Sequence, residues 1–386
     1  MSGEAGAAPE PRDALAVCLY IEQLRRAVPG GIGTYAGGLV KGLKELGERH
    51  VTLLASATAK RPDPLEALGY AVSTIRLPGP LLVRLADRGL LRLRRGGRVL
   101  PPGLAAAHSV SSALPPLLRG SVPMTVMVHD LAWRTVPGST TRRGAEWHEA
   151  ALRRAARHAD RLVVPSGQTA EELLGAGLGI ADERVVVIEE GVDHLAPLDD
   201  AARAAGAARL RAIGLDGRPY LLSVGTLEPR KNLSRVVEAY ATVAGRRPDV
   251  PALVLVGPKG WGPRLVAAAG VHLAGKVSPA ELTGLYAGAV AVVYVPLSEG
   301  FGLPAAEAMS LGVPVVASRR VPSVARAALE VEAGDAGSIA DGLERVLGDD
   351  ATRRAVVEAG LERTARFRWS EAARSHVALW RALAHG

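Results

Sequence analysis

The chain has 386 residues, 48% of them hydrophobic and 22% charged, with a formal net charge of +8. That length exceeds one ordinary core and suits two domains of nearly equal size, and the composition excludes a disordered chain. No run of about eighteen apolar residues occurs, so no membrane-spanning helix is expected. The single cysteine, Cys18, lies in an apolar run, which predicts a buried thiol in a reducing compartment. Residues 1–12 read as a loose tail without the charged start and apolar run of a secretory signal, so a cytoplasmic location is expected.

From residue 14 onward, apolar runs alternate with helical patterns, the signature of parallel sheets flanked by helices. The first predicted strand, 14–21, leads into a loop Gly30-Gly31-Ile32-Gly33 and a helix over 34–46. Strands at 51–55, 124–128, 161–165 and 185–189 complete a first sheet. Within this half, residues 76–98 hold seven arginines and one acid, Asp87. Arg84, Arg88, Arg92 and Arg95 fall at helical spacing with Leu82, Leu85 and Leu93 between them. A basic amphipathic helix over Arg84 to Arg98 suits the anionic inner face of a membrane; a solvated helix face is the alternative. Nucleic acid is not expected as a partner, because the segment lacks aromatic residues for base stacking.

An Ala/Arg-rich stretch at 198–211 reads as a linker and a helix. The pattern then restarts with a strand at 220–224, a helix at 233–244 and strands at 252–256, 271–273 and 291–295. A helix at 304–311 and a strand at 313–317 follow. The expected fold class is α/β, with two doubly wound Rossmann-like domains over 13–198 and 199–369 facing each other across a cleft. Ligands in such sheets sit beyond the carboxyl ends of the strands. The helical pattern at 368–384 carries Trp369 and Trp380, and residues 370–386 are expected as a closing helix able to cross back onto the first domain.

The stretch Ser298-Glu299-Gly300-Phe301-Gly302-Leu303-Pro304 follows a strand and opens a helix that runs past Glu307. Pro304 suits the first helical turn. Gly300 and Gly302 let a ligand approach the backbone, and free amides at a helix start attract a diphosphate. Two carboxylates with seven residues between them bracket the loop. Glu299 precedes the helix, where it can accept from sugar hydroxyls; Glu307 lies about one turn inside, where it can grip a ribose diol. Taken alone, that spacing is equally that of capping or solvent-facing acids. A second cluster, Gly225-Thr226-Leu227-Glu228-Pro229-Arg230-Lys231-Asn232-Leu233, also joins a strand to a helix. Its adjacent cations can neutralise the phosphates of a leaving nucleoside diphosphate. Neither cluster is a Walker loop.

Together these stretches resemble the donor half of glycosyltransferase family 4, of the GT-B fold, and the resemblance runs from Leu15 to Trp369. It implies that Glu299 binds donor-sugar hydroxyls and that the amides of Gly300, Phe301, Gly302 and Leu303 surround the sugar and diphosphate. It also implies Glu307 on the ribose and Arg230 with Lys231 on the diphosphate, in a loop opened by Gly225. The stretch His272-Leu273-Ala274-Gly275-Lys276-Val277 is similar to the segment that meets the nucleobase, around Lys276. In the first half, the loop ending at Gly33 resembles the family's glycine-rich loop that nears the phosphates or acceptor on closure. His129-Asp130-Leu131 resembles its active-site histidine position, which puts His129 against the transferred sugar; a structural histidine is the alternative. Val164-Pro165-Ser166 resembles the turn near the phosphates, with Ser166 as the candidate contact.

Two departures stand out. Family members often show Asn-Gly-Val-Asp where this chain has Glu190-Gly191-Val192-Asp193, which bears on the acceptor side. After Ser318 an arginine-rich stretch predicts a shortened loop. No Asp-x-Asp stands where a divalent cation would bridge a diphosphate, and Cys/His metal spacing is missing, so neither metal nor cofactor is expected. The resemblance implies transfer of a hexose from a nucleotide-diphosphate sugar with retention of configuration. Front-face attack is expected, the leaving phosphate taking the acceptor proton. The expected acceptor is a glycan or lipid-linked sugar, as for a mannosyltransferase; tailoring of a small molecule is the alternative. A nucleotide-sugar epimerase or hydrolase and a non-catalytic sugar-nucleotide-binding protein are the readings of other classes. UDP, GDP and TDP donors all stay open, and oligomeric state is not legible.

Overall fold

The structure, a computed structural model, describes residues 15–26, 28–58, 62–87, 90, 100–112, 122–261 and 268–385. The predicted tail, and Arg88, Arg92, Arg95 and Arg98 of the basic segment, lie outside the described residues. In chain order the first half holds β1 (Val17–Tyr20), α1 (Gly30–Glu45), β2 (Val51–Ser56), β3 (Ala71–Ile75), α2 (Gly79–Asp87), β4 (Ala106–Ser109) and β5 (Met124–Met127). It continues with α3 (Ala132–Thr135), α4 (Arg142–His158), β6 (Arg161–Val164), α5 (Gly167–Leu174) and β7 (Val185–Val187). The second half holds α6 (Asp200–Ala212), β8 (Tyr220–Val224), α7 (Leu233–Arg246), β9 (Ala252–Val256), β10 (Val271–Gly275), α8 (Pro279–Gly288) and β11 (Ala291–Tyr294). Then come α9 (Leu303–Ser310), β12 (Val315–Ser318), β13 (Leu329–Val331), α10 (Ala336–Gly348), α11 (Asp350–Thr364) and α12 (Trp369–His385).

The strands form two parallel sheets, ordered β3-β2-β1-β4-β5-β6-β7 and β10-β9-β8-β11-β12-β13. Their central strands are short aliphatic runs buried on both faces, as a sheet covered by helices on each side requires. The order reverses between β1 and β4 in one sheet and between β8 and β11 in the other, and each reversal opens a crevice at the strand ends. Two Rossmann-like domains are thus present, as the alternation predicts.

Three strands escape the sequence reading. β3 is an edge strand with exposed residues among its five, β4 is Ala-Ala-His-Ser with no branched residue, and β13 is a three-residue edge. The stretch from Gly30 to Gly33 is also not the predicted loop. It is the first turn of α1, in which the Gly33 amide donates to the Pro29 carbonyl at 3.2 Å. Further along that helix, glycine serves close packing: a Cβ at Gly38 would lie 2.0 Å from the Trp369 ring, and one at Gly42 2.1 Å from the Trp369 carbonyl. The helix accepts about 1 kcal/mol of lost propensity per glycine so that another helix can lie directly on it.

That other helix is α12. It leaves the second domain and buries Trp369 and Trp380 in the core of the first, with Tyr35, Leu39 and Leu43. A buried polar chain fixes it. The Tyr35 hydroxyl sits 2.9 Å from His108 Nε2 and 3.0 Å from His376 Nε2, and Trp380 Nε1 donates to Thr125 Oγ1 at 3.0 Å. His108 Nδ1 lies 2.8 Å from the same Thr125 oxygen. His376 Nδ1 has no partner among the described residues, and burial pushes the ring down to about 3. Cys18 is buried as expected, and burial pushes its thiol up to about 12. Among the described residues, no helix is long and apolar enough to cross a membrane.

Trp369→Ala should cost about 3–5 kcal/mol of first-domain stability, read as a lower denaturant midpoint. Since His376 titrates below its unfolded value, the folded state takes up fewer protons there, and stability should fall as pH drops from the ordinary histidine range toward about 3. Acid unfolding of His376→Gln, compared with wild type, should show a shallower loss over that window.

Candidate active site

Beyond the end of β8 the backbone turns at Gly225 and enters a single helical turn, Pro229–Lys231. Asn232 ends that turn with φ +59°, and its side-chain amide donates to the carbonyls of Val295 (3.1 Å) and Ala333 (2.8 Å). The Leu297 amide donates to the Arg230 carbonyl at 2.9 Å. These bonds hold Arg230 and Lys231 over the reversal between β8 and β11.

Both cations converge on Glu299. Lys231 Nζ donates to Oε2 at 2.7 Å, the Tyr294 hydroxyl donates to the same oxygen at 2.6 Å, and Arg230 donates to Oε1 at 3.1 Å. Arg230 also donates to Glu228 at 2.9 Å and lies 3.7 Å from Asp130 of the first domain. Burial works to raise the Glu299 carboxyl, but the two cations outweigh it and hold the group down at about 2. Glu299 is therefore a carboxylate at all ordinary pH values.

The loop after Glu299 reaches α9 through Gly302, whose φ of +100° favours glycine; a Cβ there would also meet Val321 at 2.3 Å. The arginine-rich loop after β12 closes onto it, with the Ser323 amide and hydroxyl donating to the carbonyls of Phe301 and Gly302. The amides of Phe301, Gly302 and Leu303 make no hydrogen bond among the described residues, so the start of α9 offers free donors. The Phe301 and Leu303 side chains belong to the core. Glu307, one turn on, is buried and held at both oxygens: His194 Nε2 donates to Oε1 at 3.0 Å and the Tyr286 hydroxyl to Oε2 at 2.7 Å. His194 Nδ1 in turn accepts from Trp369 Nε1 at 3.2 Å, which ties this carboxylate to the start of α12.

The first domain meets this loop at Gly300. A Cβ on Gly300 would lie 1.6 Å from the His129 carbonyl oxygen. Ser166 caps α5 and donates its hydroxyl to the Gly300 carbonyl at 2.7 Å. The Ser166 side chain thus joins the domains. His129 stands at the same junction: Nε2 donates to the Val110 carbonyl at 2.9 Å, and Nδ1 lies 3.6 Å from Glu190.

The structure therefore assembles Arg230, Lys231, Glu299, Gly300, Gly302, Glu307, His129 and Ser166 around one junction. Gly225 underlies the cluster, with the Lys231 stem 3.4 Å from where its Cβ would be. Lys276 is exposed just past β10, and the Gly275 carbonyl accepts from Gly257, which touches Gly225. Gly33 is buried against Pro29 of its own domain. Sequence reasoning missed Tyr294, Tyr286 and His194. A tyrosine closing an apolar strand and a histidine directly after Asp193 were the available signals.

Two family models match, Glycosyl transferases group 1 over residues 211–363 and Glycosyltransferase Family 4 over residues 29–194, and together they take in both domains. The chain belongs to glycosyltransferase family 4 and has its GT-B fold. Anabaena HepE, solved in complex with UDP and glucose, superposes with a TM-score of 0.71 at 15% identity, over 96% of this chain and all of that one. The O-antigen chain mannosyltransferase B of Escherichia coli is 35% identical over 39% of this chain. The D-inositol 3-phosphate glycosyltransferase of Corynebacterium urealyticum is 32% identical over 52% of it. The matched segments span 42% and 51% of those two relatives, about half their length.

Gly300→Ala should keep both domains folded but hold them apart, because the added methyl meets backbone that cannot move independently. Small-angle scattering should show a larger radius of gyration than wild type, with an unchanged circular dichroism spectrum.

Proposed function

We propose that the protein transfers a hexose from a nucleotide-diphosphate sugar to an acceptor hydroxyl, with retention and without a metal ion. The observation that carries this reading is the buried Glu299–Arg230–Lys231 cluster beside the free amides of α9. In this structure the cations pair with Glu299; a diphosphate would compete for them and release Glu299 to accept from sugar hydroxyls. Charge developing on the leaving diphosphate would then meet Arg230, Lys231 and the amides of Phe301 to Leu303, all fixed in advance by buried hydrogen bonds. Glu307, held by His194 and Tyr286, keeps lone pairs for the ribose diol. The acceptor would attack from the face on which the phosphate leaves, and that phosphate would take its proton.

The mannosyltransferase relative supports a glycan or lipid-linked acceptor, and the inositol-phosphate relative favours a phosphorylated polyol as a second class. Peripheral membrane contact through the Arg84 to Arg98 segment belongs with the first of these. A reducing, cytoplasmic location fits both.

Calorimetric titration with UDP, GDP and TDP, with magnesium and with chelator, tests the reading. One nucleotide should bind equally well in both conditions, and Arg230→Ala and Glu307→Ala should each weaken it about 10- to 100-fold, the worth of one or two charge-assisted hydrogen bonds. Binding that appears only with magnesium would remove the metal-independent mechanism, and no binding of any of the three would remove the donor site. Release of free sugar from the donor without an acceptor would point to a hydrolase.

A further inference from the structure

Away from the domain junction, α11 and the loop between β12 and β13 border a surface cavity of about 310 Å³, at the small end of ligand sites. Arg326, Arg363, Arg366 and Glu362 line it together with three alanines. Its loop wall belongs to the stretch after Ser318 that departs from the family's pattern. There Ala325 and Arg326 take left-handed φ of +42° and +70° in succession, a conformation uncommon for residues with side chains. The turn is pinned by its own bonds: the Arg326 amide donates to Glu330 Oε1 at 3.0 Å and the Ala327 amide to the Val324 carbonyl at 2.8 Å. Backbone strain of this kind gathers at ligand clamps.

The cations at this cavity are incompletely balanced. Arg363 and Arg366 donate to the same oxygen, Glu189 Oε1, at 3.2 Å and 2.6 Å, and both lie over the Phe367 ring. Burial and the adjacent Arg366 lower the Arg363 guanidinium from its usual range in spite of Glu189. The Arg326 and Glu362 side chains make no ion pair among the described residues. Three guanidinium groups therefore stand against two carboxylates. Their planar forks suit a phosphoryl group, and Glu362 can accept from hydroxyls beside it. We propose that this cavity binds a phosphorylated polyol, with its phosphoryl group on Arg326 and Arg366 and its hydroxyls at Glu362. The site also reaches the donor loop. Arg363 Nε donates to the Ser323 carbonyl at 3.1 Å, and Ser323 in turn bonds the carbonyls of Phe301 and Gly302 at the start of α9. An occupant that holds Arg363 in place steadies this loop and so, resting on the transfer reading, tightens donor binding.

Calorimetry of the full chain with glucose 6-phosphate, inorganic phosphate and glucose tests the site. The ester should bind, phosphate should bind more weakly, and glucose should not bind. Arg326→Ala and Arg366→Ala should each weaken the ester about 10-fold, the worth of one charge-assisted hydrogen bond. Glu362→Ala should erase the ester's advantage over phosphate. Arg230→Ala in the donor site and Arg142→Ala on the exposed face of α4 should leave ester binding unchanged. Absence of ester binding, or an equal loss in either of those two controls, would overturn the site. Phosphatidylglycerol vesicles offer the same phosphoryl chemistry. Binding to them that Arg326→Ala abolishes, with none of the soluble ester, would replace the soluble ligand by a lipid headgroup. Saturating ester should also tighten the nucleotide that binds about 5-fold, the low end of coupling between sites, and Arg326→Ala should lose that gain. An unchanged nucleotide affinity would refute the link to the donor loop. If no nucleotide binds at all, the transfer reading falls, while the ester titrations still decide the cavity.

Discussion

Charge compensation in a space with little water governs the centre of this protein. Arg230 and Lys231 face three carboxylates, Glu228, Glu299 and Asp130, one of them supplied by the opposite domain. Each ion is tolerable there only because the others are within a few ångströms. The rest of the local architecture keeps them so: the left-handed Asn232, its two bonds to neighbouring carbonyls, and the Tyr294 hydroxyl that shares an oxygen with Lys231. The cations are already outnumbered. A diphosphate can enter such a cluster only by exchange, taking over cations that a carboxylate gives up, with the free amides of α9 supplying additional positive potential. On the proposed reading, donor binding and the release of Glu299 toward sugar hydroxyls would be a single event.

The two domains share this centre through small contacts of high consequence. Gly300 lies against the His129 carbonyl because it has no side chain, and Ser166 uses its one proton to bond the loop in place. The segment from Glu190 to His194, where the chain leaves the first domain, touches nearly everything: Glu190 meets His129, Asp193 accepts from the Trp369 amide and pairs with Lys41, and His194 bridges Trp369 and Glu307. Five residues thus join the His129 junction to the Glu307 carboxylate through direct contacts.

The sequence made the second domain more legible than the first. Strands β8 and β9 fall where the apolar runs put them, because a buried parallel strand is almost wholly aliphatic. The motifs around Arg230 and Glu299 were legible too, since glycine, proline and paired charges at a strand-to-helix turn have few other uses. β3 and β4 were hidden because one lies half exposed at an edge and the other is built from alanine, histidine and serine. The glycines at the start of α1 suggested a loop, but Gly30 to Gly33 form its first turn; it is Gly38 and Gly42, inside the predicted helix, that leave space for Trp369. Ser166 and His129 were singled out in the sequence, but their neighbours within the chain, Gly300 and Glu190, come from distant parts of it that spacing cannot connect.

That long return of α12 also fixes an order of assembly. β1 and α1 are translated before the second domain, yet the groove formed by Gly38 and Gly42 has nothing to fill it until α12 emerges. The second domain, whose strands and helices are contiguous, can finish while the first still waits with an open apolar face. The domain whose strands are translated first is therefore completed only after a helix that follows the whole of the second domain.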